Sequence, residues 1–86
     1  MPKKNGLPTV AEIRQSEETR TALRGLYRYS HTAALTIAPD ALLRRLNYFE
    51  AVLELTPVSE RHTLCYRRRV AEFEALQDAA MDRGLL

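Results

Sequence analysis

Cys65 and His62 are the residues from which a catalytic reading of this 86-residue chain would start. They stand three positions apart and would share one face of a helix. A nucleophilic thiolate also needs an orienting group and an oxyanion hole, and the sequence supplies neither in recognisable form. Cys65 is therefore expected to be a small buried residue packed beside a partly buried His62. The carboxylate pairs Glu17/Glu18 and Glu72/Glu74 sit among arginines on polar faces, where nothing predicts a raised pKa. Two histidines and one cysteine match no metal-binding spacing, and neither a glycine-rich phosphate loop nor a nucleophile elbow is present. The expectation is a chain without catalytic residues, metal or cofactor.

Two patterns point instead to binding. In the middle of the chain, Leu42, Leu46, Phe49 and Leu53 fall on one helical face that Tyr48, Val52 and Leu55 widen, which fits either a central core helix packed against two neighbours or an apolar edge that outruns them and is left for a partner. Arg45 lies in the same arc, as arginine often does at interfaces. Earlier, Arg20, Arg24 and Arg28 recur every four residues beside Tyr27, Tyr29 and His31. Arginine next to tyrosine suits a carboxylate-rich protein surface and equally a phosphate backbone with stacked bases. The residues expected to bind a protein partner are Arg24, Tyr27, Arg28, Arg45, Tyr48, Val52 and Leu55. The alternative is a nucleic-acid surface built from Arg20, Arg24, Arg28, Arg67 and Arg68. A net charge of +2 and a pI near 9.0 permit that alternative without requiring it.

The elements that would position these residues read as three helices in a single domain, residues 9–86, preceded by a flexible tail, residues 1–8, that holds two prolines and the only two lysines. Thr9 through Glu12 has the form of a capping box. From there Ile13, Leu23, Leu26, Tyr27, Ala34 and Ile37 keep helical spacing, through a polar stretch and Gly25. Pro39-Asp40 restarts a helix expected to run to about Leu55. Thr56-Pro57 repeats the device, predicting a third helix with Thr56 as its N-cap and a stripe of Val58, His62, Cys65, Tyr66, Phe73, Leu76 and Ala80, stopped by Gly84. Short connections make neighbours antiparallel, so the predicted fold is all-α: a small three-helix bundle with a long first helix packed on an antiparallel hairpin of the second and third.

The third segment is split in charge. Residues 57–70 carry four arginines against Glu60, while residues 71–86 carry four acids against Arg83. That order opposes the helix dipole, and an antiparallel copy of the helix would bring opposite charges together, so a homodimer is one expectation. The length and helix count resemble those of the short three-helix chorismate mutases. That family relies on a lysine within the bundle beside its arginines, and here lysine stands only at positions 3 and 4. Leu26-Tyr27-Arg28 is similar to the signature of the mitochondrial LYR-motif adaptors, over those three residues only and too far from the N-terminus. Neither resemblance reaches the rest of the pattern. With one cysteine, no signal-peptide stretch and no run long enough for a membrane span, the chain is expected to be a cytoplasmic adaptor, chaperone-like subunit or inhibitor of a larger protein assembly.

Overall fold

A computed structural model describes residues 9–86 as three helices: α1 over Val10–Ala34, α2 over Pro39–Leu55 and α3 over Leu64–Asp82, with a short 3-10 turn at Val58–Glu60. The expected tail lies outside the described residues. Thr9 caps α1 as the capping box requires, its extended backbone leaving Oγ1 to accept the Glu12 N–H at 3.2 Å. The polar stretch and Gly25 do not interrupt the helix, which is about 37 Å long at 1.5 Å per residue. It ends at Ala34 rather than Ile37, because Pro39 forces Ala38 into an extended conformation, ψ 140°, and the connection must reverse the chain within four residues. Pro39 opens α2 with Asp40 in its first turn, and the helix ends at Leu55 as the spacing predicts.

The third helix begins later than the sequence pattern implied. Thr56 closes α2 instead of opening α3: its backbone is extended and its hydroxyl donates backwards to the Val52 carbonyl at 2.7 Å. After the 3-10 turn, Arg61 Nε donates to the Thr56 carbonyl at 3.1 Å, and Thr63 then serves as the N-cap, its Oγ1 accepting the Tyr66 N–H at 3.2 Å. Val58 and His62 therefore fall outside the helix. Cys65, expected inside, is exposed on the first turn of α3. At the other end Gly84 adopts φ 71°, and the Leu85 N–H reaches back to the Ala80 carbonyl at 2.8 Å, closing α3 in a Schellman-type turn that folds Leu85 onto the core.

The central helix is α3, not α2. Both α1 and α2 pack along it and make no extended contact with each other. α2 runs antiparallel to α3, with Leu42 and Leu46 against Leu76, Ala79 and Ala80 and with Phe49 nearer Cys65 and Glu72. α1 runs parallel to α3, as three cross-links in the same order show: Tyr27 to Asp78, His31 to Asp82, and the Ala34 carbonyl to Arg83. Alanines decide this geometry. Ala34, Ala75, Ala79 and Ala80 are almost completely buried and let three backbones close on one another, with Leu42 as the one large side chain fully removed from water. The core thus sits where the α1–α2 connection, the start of α2 and the end of α3 meet. Only seven described residues are buried, four of them alanine, so the hydrophobic term comes from one end of the molecule.

Candidate protein-binding cleft

Away from the core, the start of α3 lies between α1 and α2 with a cleft open to solvent on either side of its Leu64–Arg68 face. On one side about 360 Å³ is enclosed between Leu64 and Arg68 and the α1 wall of Gln15, Glu18, Thr19, Ala22, Leu23 and Leu26. On the other about 420 Å³ lies between Tyr48 and Phe49 of α2 and Leu64, Cys65, Arg68, Arg69 and Glu72. Leu64 and Arg68 belong to both, so the two hollows form one cleft with this face of α3 as its floor.

The cleft is apolar with a charged rim. Leu64 is 51% exposed on its floor and Tyr48 65% exposed on its wall; Leu55, two turns on and on the same face of α2, is 82% exposed. Val52 is half-buried between them, and Arg45 continues the edge, exposed. The α2 residues expected to bind a partner therefore share one side of the helix, and of these Tyr48 lines the cleft. Arg44 pairs with Asp40 at 3.5 Å and His31 shares a hydrogen bond with Asp82 at 3.1 Å, while among the described residues no carboxylate lies within ion-pair distance of Arg45, Arg68 or Arg69.

The α1 candidates divide differently. Tyr27 is half-buried, its hydroxyl donating to Asp78 Oδ2 and its ring stacked on His31 with centroids 5.9 Å apart. The hydrogen bond to Asp78, then burial, then the negative charges of Asp78, Asp82 and Glu74 push its pKa up from 10.0 to about 12. Tyr27 is a strut between α1 and α3. Arg20, Arg24 and Arg28 are exposed, but each lies two positions from Ala22 or Leu26 on the cleft wall, which places them roughly 160° away around the helix. Arg24 and Arg28 thus do not join the α2 edge. Arg68 faces the cleft, while Arg67 faces α1 near Glu12 and Gln15, so the five arginines of the nucleic-acid alternative do not converge on one surface.

No protein-family model, curated protein or solved structure matches this chain. The cleft is therefore read from its own chemistry. Among the described residues no group of three or more His, Cys, Asp or Glu side chains is placed to hold a metal ion, and no helix is long and apolar enough to cross a membrane. His62 sits in the turn before α3 and Cys65 on the cleft side of that helix.

Two residues escaped the sequence reading. Leu64 was given no role, although the Thr63 cap and the Leu64/Arg68 spacing of four mark a helix start with one face shared by both residues. Arg83 was counted only as a lone base among acids. Its Nη1 donates to the carbonyls of Ala34 at 2.9 Å and Ile37 at 2.8 Å, tying the end of α3 to the end of α1 and the connection beyond it.

Proposed function

We propose that the chain is a non-catalytic protein-binding module, a small adaptor, chaperone-like subunit or inhibitor, whose cleft receives an amphipathic helix of a larger protein assembly. The observation that carries this reading is the open cleft over Leu64 and Arg68, walled by Tyr48 and Phe49 on one side and Leu23 and Leu26 on the other. A helix laid there would bury large apolar groups that the monomer leaves wet and would offer acceptors to Arg45, Arg68 and Arg69, the helix-in-groove mode of recognition. Tyr48, with Arg45 beside it, has the composition of a binding hot spot. The exposed, unpaired Cys65 suits a reducing compartment, and the cytoplasm is proposed on that ground.

The test is capture from host lysate with tagged wild type and with a Tyr48→Asp/Leu55→Asp variant, with and without nuclease, read by mass spectrometry. Both side chains are mostly exposed, so the variant should keep its helical circular dichroism. A stoichiometric protein that survives nuclease and is lost with the variant is the expected result. A partner retained by the variant would place binding elsewhere. Recovery that vanishes with nuclease would favour the nucleic-acid alternative, whose affinity must also fall steeply with salt.

A further inference from the structure

The cleft carries both signs of charge on its lining: Glu18 on the α1 wall and Arg68 on the floor, with Arg69 and Glu72 toward α2. A surface built to capture a uniformly acidic or basic partner would present one sign. Mixed signs flanking an apolar strip are what a surface needs to meet itself across a two-fold axis, where each residue of one copy faces its complement on the other. The apolar area is of the right size. Tyr48, Leu55 and Leu64, with the half-buried Leu23, Leu26, Phe49 and Val52 around them, offer roughly 500 Å² per copy, and a standard interface buries about 800 Å² per partner, a little over half of it apolar. The monomer's own core holds seven buried residues, four of them alanine, so a chain of this length gains most from a partner that extends it.

We infer that, when no larger assembly is engaged, a second copy of this chain covers the cleft, the two clefts meeting face to face across a two-fold axis with Arg68 of one copy paired to Glu18 of its mate. The inference rests on reading the cleft as protein-binding, the second copy giving way when the larger assembly binds. It differs from a dimer through the charge-split third helix, because Asp78 and Asp82 already answer Tyr27 and His31 of α1 within the chain.

The experiment is sedimentation equilibrium of the full chain from micromolar to sub-millimolar concentration, on wild type, Arg68→Glu, Glu18→Arg and an equal mixture of the two variants. Wild type should rise from 9.8 kDa to twice that mass. Each variant alone should stay monomeric, because both symmetry-related pairs become like-charged. The mixture should recover the doubled mass, because a heterodimer of the two variants has an opposite pair at both positions. Independently of any substitution, Cys65 lines the cleft, so its reaction with a thiol reagent should slow about tenfold on going from dilute to concentrated wild type, as expected for a site closed by association. A wild-type mass that stays at 9.8 kDa overturns the inference and leaves the heterologous reading to the lysate capture, which tests it separately. Variants that all remain dimeric, or a mixture that does not recover, overturn the cleft-to-cleft pairing, as does Cys65 reactivity that is independent of concentration.

Discussion

Replacing Arg83 with Met should loosen the junction where the end of α3 is tied to the end of α1 and the connection beyond it. The Arg83 guanidinium donates at 2.9 Å to the carbonyl of Ala34, the last residue of α1, and at 2.8 Å to that of Ile37 in the connection. Ala34 is 1% exposed, so its carbonyl has few other partners once the donor is gone. A hydrogen bond to a charged group contributes roughly 1.5–3 kcal/mol, and two would lose up to about twice that. Because Arg83 is itself half-buried and water can replace part of what is lost, a net cost of about 2–3 kcal/mol is expected, with Met retaining the packing of the stem. In a domain this small that corresponds to a fall in melting temperature on the order of 10–20 °C. Urea unfolding followed by circular dichroism should show the midpoint dropping at unchanged slope. Arg83→Lys should fall between the two, since a single ammonium matches two divergent carbonyls less well than a fork of N–H donors. A loss under about 0.5 kcal/mol for Arg83→Met would refute the claim that this residue staples α1 to α3, because such a loss is what an unengaged surface arginine shows.

Thr63→Ala should destabilise the chain by about 1 kcal/mol, since Thr63 Oγ1 caps α3, while Thr56→Val should cost less because Thr56 caps no helix start; urea midpoints compare them. Gly25→Ala should stabilise by roughly 0.5–1 kcal/mol, because Gly25 is mid-helix and an added Cβ meets nothing within 4 Å, whereas Gly84→Ala at φ 71° should destabilise; thermal melts of the pair read both signs. Tyr27 binds its proton more tightly in the folded chain, with a pKa near 12 against an ordinary 10.0, so its contribution to stability is fully present below pH 10 and is lost as pH rises through 12. Ultraviolet titration should show one of the four tyrosines ionising late, and Tyr27→Phe should abolish both that step and the loss of stability attached to it.

Local signals acted where a helix end depends on a few neighbouring atoms. Thr9 with Glu12, Pro39 with Asp40, and Gly84 each stand where their own chemistry places them, and α2 ends at Leu55 as its spacing predicts. Helical period sets Tyr48 and Leu55 apart from the Leu42/Leu46 face, but whether that edge is core or interface was open in the sequence and was decided by the packing of α1 on α3 and not on α2. Thr56 and Thr63 mark where local reading fails. Both are threonines able to cap a helix, and the choice between them was made by Arg61 binding the Thr56 carbonyl and by the Thr56 hydroxyl turning back to Val52.

What determined the rest acts across the chain. Sequence periodicity says which face of a helix is apolar but not which neighbour it meets, and a stripe of alanines reads as weak although it permits the closest packing. That is why α3, with Ala75, Ala79 and Ala80, became the central helix in place of the leucine-rich α2. Tyr27 looked available for a partner until a carboxylate 51 residues further on engaged it. The three-helix, all-α character was set by the sequence through local period and capping; the parallel docking of α1 on α3, the Arg83 staple and the cleft over Leu64 and Arg68 exist only once distant backbones have met, because their energies come from contacts between helices and not within them.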